Sequence, residues 1–466
     1  MIPISVADLT SVVDGTLAGA DPDAVVSAPA TIDSRTVVPG GLFVAFPGEN
    51  VDGHDFVAAA TEAGATVSIT QRPVEGSPCV VVDDPQAALG KLARYVVDRL
   101  PDLTVIGLTG SQGKTSTKDL IAQLVGRLGP TVAPQGSFNN EIGHPVTALR
   151  ADEQTRFLVA EMGAAQSGDI RYLTGITPPR VGLVLNVGTA HIGRFGSQDA
   201  IAVAKGELVE ALPSDGTAVL NADDARVAPM ASRTAARVLT FGESDRADVR
   251  ATGITLDDRG RPGFTLHLAG RTYDVQLQLV GEHQVSNALA AAAVALAVQL
   301  EPDQIAAALG QAQAQSRWRM EVTDRADGVT VINDAYNANP DSVRAALKAL
   351  VAMGRARGEQ ARTWAVLGEM RELGAASTSE HDAIGRLAVR LDVNRLVAVG
   401  EAARPIHLGA AHEGSWGDES VYAENVETAL DLLRRELRPG DVVLVKASRT
   451  IHLERLAQAL LQEGSA

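Results

Sequence analysis

The sequence predicts an α/β protein of three domains, with a doubly wound parallel sheet at its centre. Three observations carry this. Aliphatic, β-branched runs alternate with helical patterns through most of the chain. One such run breaks into a glycine loop that opens directly into a helix. And 466 residues exceed what one core supports, dividing at ordinary domain size into about three. The limits expected are 1–84, 85–315 and 316–466.

Residues 1–84 read as a small α/β unit. Asp33-Ser34-Arg35 ends a short segment, and Pro39-Gly40-Gly41 turns into a strand over Leu42–Phe46. Pro47-Gly48-Glu49-Asn50 and Asp52-Gly53-His54-Asp55 precede an alanine-rich helix, and Val80-Val81-Val82 closes the unit. This rim suits a polar ligand, or Arg35 and Asp52 are solvated turn residues.

In the central segment strands are expected at 103–108, 157–160, 181–186 and 217–220. After the first, Gly110-Ser111-Gln112-Gly113 leads to Lys114, Thr115 and Ser116, which open a helix with Leu120, Ile121, Leu124, Val125 and Leu128 on one face. Strand, glycine loop and helix N-terminus make an anion cradle, because backbone N–H groups and the helix dipole converge on phosphate. Lys114 adds a charge, and the Thr115 hydroxyl sits where a phosphate-bound Mg²⁺ takes an oxygen. The first glycine of the usual P-loop pattern is replaced by Leu108, leaving the shorter Gly-x-x-Gly-Lys-Thr. A nucleoside triphosphate is the expected ligand.

Ligands collect beyond the carboxyl ends of such strands, and polar residues fall there: Glu161 after one strand, Asn186 and His191 after the next. Glu161 and His191 suit divalent cations beside Thr115; singly, they read equally as a cap and a core histidine. Lys205, on the following helix, reads as a solvated lysine. Asn139 and Asn140 either cap a helix or present amides to a peptide. The stretch 247–279 suggests extra β-structure, and Asn287 opens an alanine-rich helix.

The last segment is a Rossmann-like α/β unit. Strands at 329–332, 364–367, 396–399 and 442–445 each end in a polar or glycine-bearing tip. Asp334, Tyr336 and Asn337 offer a carboxylate for a ribose, a ring and an amide edge for a base; otherwise Asn-Ala-Asn-Pro340 is only a turn.

Composition sets limits. Net charge is −16 with a pI near 5, which argues against a nucleic-acid backbone as partner. Cys79 is the only cysteine, so no internal disulfide or cysteine-based zinc site forms; between Pro78 and Val80 it reads as a core residue. The N-terminus lacks a signal-peptide pattern. The longest apolar run, 288–298, is far shorter than the ~20 residues of a membrane span. A cytoplasmic protein is expected.

Taken together the motifs resemble the Mur ligases, the ATP-dependent amide ligases of peptidoglycan precursor synthesis. The resemblance runs through Asp33-Ser34-Arg35, the loop Thr109–Thr115, Glu161-Met-Gly163, Asn186 with His191, Ala204-Lys205-Gly206-Glu207 and Asn221-Ala-Asp-Asp224. It continues in Asn287–Ala292, Arg319-Met-Glu321, Asn333–Pro340 and Leu367-Gly-Glu-Met-Arg-Glu-Leu-Gly374. The short loop without a glycine at 108 is how that family writes its P-loop. Within it, Asn139-Asn-Glu-Ile-Gly-His-Pro145 resembles the member that adds D-alanyl-D-alanine to UDP-N-acetylmuramoyl-tripeptide. The Asp-Asn-Pro-Arg box of the diaminopimelate-adding member is absent. Folylpolyglutamate synthases share the loop but not the N-terminal unit. A nucleotide-dependent switch, a rival of another class, has no need of Glu161, His191 and Lys205 together.

The resemblance implies roles. The central domain becomes a P-loop ATPase-like fold, with Gly110 to Ser116 on ATP. Ser34 and Arg35 lie toward the UDP of the substrate, and Asn139 and Asn140 toward its peptide. Lys114, His191 and Lys205 are the catalytic set. Thr115, Glu161, His191 and Lys205 hold two Mg²⁺, with Lys205 carrying a carbamate. Asn287, Asp334 and Asn337 contact adenosine, and Arg319 lies near the phosphates. Lys446, Ser448 and Arg449 match a C-terminal family segment. The partners implied are the UDP-tripeptide and D-alanyl-D-alanine, acted on by a monomer.

Overall fold

The computed structural model describes residues 1–48, 51–358, 360–414 and 417–463. Three large sheets follow one another along the chain. The first has five strands, in the order Thr16–Ala18, Cys79–Val81, Ala65–Thr70, Gly41–Val44 and Ala30–Thr31. All pair in parallel except Thr16–Ala18. Cys79 is fully buried in it, as its flanks predict. The strand after Gly41 stops at Val44, and of the turn expected over 47–50, residues 49 and 50 lie outside those described.

The central sheet has nine strands. From Thr131–Val132 through Phe157–Glu161, Thr104–Thr109, Val181–Val184, Thr217–Asn221 and Arg237–Gly242 to Val249–Leu256, every pairing is parallel. The meander expected at 247–279 adds Pro262–Leu268 and Arg271–Gln276 antiparallel at that edge. Successive residues of a strand face opposite layers. Ile106 and Leu108 meet helices Lys114–Val125 and Gln284–Ala297, whereas Val105, Leu158 and Ala160 join the opposite core. That opposite core runs without a break through Leu89 and Leu92 into Leu9, Leu42 and Val67 of the N-terminal sheet. Helix Pro85–Asp98 bridges them. It is capped by the Asp84 carboxylate, which accepts from Gln86 and Ala87 N–H, with proline at its first position.

Several expectations shift. The strand expected over 181–186 ends at Val184, which releases Asn186 into the loop above the sheet. The helix after the glycine loop ends at Val125, so Leu128 is beyond it and exposed. The alanine-rich helix begins at Gln284, one turn's depth before Asn287, which is therefore buried inside its first turn.

The third sheet orders Glu321–Asp324, Thr330–Asn333, Val442–Lys446, Thr363–Leu367, Arg395–Val399 and Ser420–Ala423, parallel except for the first pair. Of its two outer strands, Glu321–Asp324 carries a single apolar residue and Ser420–Ala423 is only four residues long, so neither stands out in the sequence. Helices Pro340–Ala356, Ser377–Arg390 and Arg404–Glu413 cover one face, Val426–Glu436 and Glu454–Glu463 the other. The strands ending at Asn333, Leu367 and Lys446 run parallel, so their tips point the same way, and Asp334 and Lys446 line one cavity with the P-loop.

Candidate active site

A cavity of about 1260 Å³ lies between the central and C-terminal sheets. The P-loop residues Ser111 to Ser116 line it, with Asn139, Asn140, Glu161, His191, Asn287, Arg319, Asp334 and Asn337. Residues about 220 apart in sequence thus share one wall, as the strand-end argument anticipates. Ser34, Arg35, Gly110 and Lys205 are not among its lining residues.

The loop is held before any ligand arrives. Gly113 has φ of +79°, and a Cβ there would meet Asn287 Oδ1 at 2.5 Å, so backbone angle and close approach both demand glycine. Asn287 therefore braces the loop; its amide donates to Gln284 Oε1 at 2.9 Å. Asn186 Oδ1 accepts from Ser111 and Gln112 N–H, both at 3.0 Å. Lys114 Nζ folds back on Gly110 O at 2.8 Å. The first N–H groups of this helix have no intrahelical partners, and Gly113, Lys114, Thr115 and Ser116 line the cavity.

Thr115 and Glu161 meet as expected. Thr115 Oγ1 lies 2.8 Å from Ser137 Oγ and 3.5 Å from Glu161 Oε1. Asn139 Nδ2 donates to the same Glu161 oxygen at 2.7 Å. The other oxygen, Oε2, is buried without a hydrogen-bond partner among the described residues. A carboxylate oxygen left so costs free energy unless something positive meets it. Asn140 takes the capping option: its Oδ1 accepts from Gly143 N–H at 2.9 Å. No group of three or more His, Cys, Asp or Glu converges as a metal cage among the described residues. A cation here would draw most of its ligands from phosphate and water, the habit of Mg²⁺.

Lys205 overturns its residue-level reading. It is 4 % exposed, and neither an ion pair nor a hydrogen bond partners it among the described residues. Burial, reinforced by Lys114, pushes its pKa well below the ordinary lysine value. Lys114 is lowered by burial too, with Glu161 opposing and Arg319 reinforcing. His191 is lowered by burial, with Glu372 opposing and Lys114 and Lys205 reinforcing. Each of Lys114, His191 and Lys205 thus has its charged form disfavoured by a neighbouring cation, an arrangement that an incoming polyanion relieves.

His191 sits at φ +62°, with Nδ1 2.5 Å from a Glu372 carboxylate oxygen. Arg194 pairs with the other oxygen at 3.2 Å, and Gly193 N–H donates to Glu372 O at 3.3 Å. Glu372 belongs to the loop after strand Thr363–Leu367, so the C-terminal unit grips the His191 loop directly. Glu372 was within a motif quoted from the sequence, yet nothing local pairs it with a histidine 181 positions earlier.

Arg319, from the segment joining the units, donates to Thr115 Oγ1 and Ser137 Oγ, both at 3.1 Å, and stacks over Tyr336 at 4.2 Å. Asp334 is already engaged: Lys446 Nζ lies 2.6 Å from Oδ2, and Met320 N–H donates to Oδ1 at 3.1 Å. Asn339, in the expected turn, caps helix Pro340–Ala356 through a capping box with Ser342. Ser34 and Arg35 lie on a 3₁₀ turn, where Arg35 is exposed and pairs with Asp33 at 2.7 Å. The Arg35 guanidinium holds the Asp33 carboxyl at about 2.

His144, inside the Asn139–Pro145 motif, is a strut behind Glu161. It is buried, its ring within 2.8 Å of Thr177 Oγ1, and burial lowers its pKa to about 4 against partial compensation from the Glu161 and Leu173 carbonyls. A histidine neutral in the folded state and near 6.5 when unfolded leaves the unfolded state with the extra proton between those values. Stability from this group is complete above pH 6.5 and falls as pH drops toward 4, by up to about 3 kcal/mol. In His144→Gln, urea unfolding at pH 7 and pH 4.5 is expected to show a flatter pH dependence than the parent. An unchanged slope refutes this.

Comparison with known proteins bears on the whole chain. Family models described as "Mur ligase family, catalytic domain", "Mur ligase middle domain" and "Mur ligase, glutamate ligase domain" match residues 30–101, 108–295 and 318–449. The UDP-N-acetylmuramoyl-tripeptide--D-alanyl-D-alanine ligase of Mycobacterium tuberculosis is 49% identical, over 100% of this chain and 99% of that protein. The chain belongs to the Mur ligase family. The MurF crystal structure from Acinetobacter baumannii superposes with a TM-score of 0.87 at 32% identity, covering 99% of each chain. MurF ligase from Thermotoga maritima, solved in complex with ADP, gives 0.79 at 27% identity, covering 94% of this chain and 98% of that one. The three-domain Mur ligase architecture and ATP use therefore hold for this chain. No helix among the described residues is long and apolar enough to cross a membrane.

Proposed function

We propose that this chain joins D-alanyl-D-alanine to UDP-N-acetylmuramoyl-tripeptide at the expense of ATP, in the cytoplasmic synthesis of peptidoglycan precursor. The observation that carries this reading is one cavity holding both a braced phosphate loop and, at Glu161, a buried carboxylate oxygen without a partner. The full-length likeness to ligases of that name supports the choice of substrates.

The reaction follows from the groups present. A carboxylate is a weak electrophile with a poor leaving group. An oxygen of the tripeptide's terminal carboxylate attacks the γ-phosphorus, the bond to the β-phosphate oxygen breaks, and ADP and an acyl phosphate result. Lys114 and the loop N–H groups hold the β- and γ-phosphates while this charge moves. Arg319, beside Thr115, is placed to share it. The dipeptide amine then attacks the acyl carbon, and the tetrahedral intermediate expels phosphate. One proton leaves the amine, and an amide remains.

Glu161 Oε2, Thr115 Oγ1 and His191 fit a Mg²⁺ pair. Lys205, buried and with its pKa pushed well below the ordinary lysine value, fits carbamate formation, in which its free amine adds CO₂ and releases a proton. When bound, the metals would neutralise charge on the phosphates. Asn287 serves this chemistry by bracing Gly113; Asp334 and Asn337 border the adenosine side of the cavity. Asn139 and Asn140 lie toward the stem peptide, Ser34 and Arg35 toward UDP. The domain limits assigned are 1–84, 85–315 and 316–466, in a monomeric enzyme.

Incubation with UDP-muramoyl-tripeptide, ATP and D-alanyl-D-alanine is expected to give a product heavier by one dipeptide less water, with one ADP formed per amide bond. ATP hydrolysis indifferent to the amino acceptor, or a product lacking the dipeptide, rejects the reading.

A further inference from the structure

Lys118 and Asp119 are buried, at 2 % and 7 % exposure, in the helix that the phosphate loop opens, and no step of the ligation uses them. Burial of such a pair is repaid only when further hydrogen bonds satisfy both groups; here two distant pieces of chain supply them. Lys118 Nζ lies 2.6 Å from Asp119 Oδ1 and donates to Pro134 O at 2.7 Å and Gly136 O at 3.4 Å. Asp119 Oδ2 accepts from Ser316 N–H at 3.0 Å. We infer that the pair is a positioning device for the reaction: Lys118 sets the segment that brings Ser137, and Asp119 the segment that brings Arg319, onto Thr115. The inference rests on the ligase reading for what Arg319 does at the phosphates.

Helix periodicity lets one anchor serve both segments. Positions 115, 118 and 119 stand at i, i+3 and i+4, on a single face of helix Lys114–Val125. Ser137, one residue beyond the Lys118-bound Gly136 carbonyl, has its Oγ 2.8 Å from Thr115 Oγ1. Arg319, three residues beyond Ser316, donates to both hydroxyl oxygens at 3.1 Å. Gln123, a further turn along the same face, repeats the hold: its amide donates to Gln313 O at 2.9 Å and its Oε1 accepts from Gln313 N–H at 3.0 Å.

The segment that Asp119 holds is strained. Trp318 and Met320, on either side of Arg319, have φ of +59° and +49°. Residues with a Cβ rarely keep the left-handed region, and do so where their surroundings over-determine it. Here two carboxylates do this: Asp119 on Ser316 N–H before the arginine, and Asp334 on Met320 N–H at 3.1 Å after it. Between these clamps the guanidinium stacks over Tyr336 at 4.2 Å, and its Nε is buried without a hydrogen-bond partner among the described residues. An unmet N–H on a cation beside the phosphate loop suits an anionic oxygen.

Two variants at one position separate placement from stability. Asp119→Asn keeps an oxygen for Ser316 N–H but removes the charge opposite Lys118; Asp119→Ala removes both. Each leaves the Lys118 ammonium buried without its partner, so both are expected to melt below the parent. Only the alanine variant is expected to release the segment, with hydrogen exchange over 313–320 rising above that of the asparagine variant. Its kcat is expected to fall by on the order of 10²-fold, the scale of a misplaced group near the reacting atoms, with KM for the UDP-tripeptide unmoved. The asparagine variant is expected to keep most of the parent's kcat. Gln123→Ala removes the second hold and leaves the ion pair whole. It is expected to raise exchange over the same segment and lower kcat, and it carries the test should Asp119→Ala not fold. Equal losses of kcat in the two Asp119 variants, or losses that follow melting temperature across all three, overturn the inference. So does exchange over 313–320 unchanged in Asp119→Ala and Gln123→Ala. A parent that forms no ADP in response to the dipeptide refutes the ligase reading instead, and exchange over 313–320 still decides the placement.

Discussion

Lys205→Ala is expected to lower kcat by on the order of 10²–10³, the scale of losing one preorganised charge at a phosphoryl-transfer centre, with added formate or acetate restoring part of it. The reasoning starts from burial. An ammonium at 4 % exposure with no partner among the described residues, and Lys114 near enough to repel it, is disfavoured relative to the free amine. A free amine is competent to add CO₂ and, on releasing a proton, become an anion. Truncation to alanine empties the space that the carbamate would fill, and a small carboxylate re-enters it. Stability should move the opposite way. Between its lowered folded pKa and the ordinary 10.5, Lys205 carries its proton only in the unfolded chain. Its contribution to stability therefore rises with pH through that window. In CO₂-free buffer at pH 7, Lys205→Met is expected to melt above the parent while remaining inactive. Full activity in Lys205→Ala, or rescue absent at every carboxylate concentration, refutes the carbamate role.

Lys205 also shows where sequence reasoning stops. The P-loop was legible because strand, glycine turn and helix start are contiguous, and each has a local signature. Glu161, Asn186 and His191 were legible as positions, since parallel sheets deliver strand ends to one edge. What each side chain meets there was not. Asn186 turns back to hold the loop's own N–H groups, and Asn287 braces Gly113 instead of standing free. Lys205 sits on a helix, Gln198–Glu210, whose two flanks are both largely apolar; such a helix does not announce which face is covered. Glu372 and His191 are brought together by the packing of one unit on another, for which no short-range pattern exists.

Disrupting the Asp334–Lys446 pair is expected to cost about 3–5 kcal/mol of stability, the range for breaking a buried ion pair from one side. Lys446 is 2 % and Asp334 7 % exposed. Burial lowers the lysine's pKa, and Asp334 works against that shift. Lys446 Nζ also donates to Asn337 O at 2.9 Å, so one cation fixes the whole tip of strand Thr330–Asn333 against strand Val442–Lys446. Asp334→Asn leaves an ammonium buried without its charge partner, and Lys446→Met leaves the carboxylate so. Either single change should lower the melting temperature by on the order of 10 °C for a domain of this size. The double change removes both charges and should recover a large part of that loss, because no buried charge is then left without its partner. Activity should not follow. Asp334, Asn337 and Lys446 all line the nucleotide cavity, so the double variant is expected to fold well and bind ATP poorly. Melting temperatures that add across the two single variants, with no coupling, would reduce the pair to two independent polar contacts.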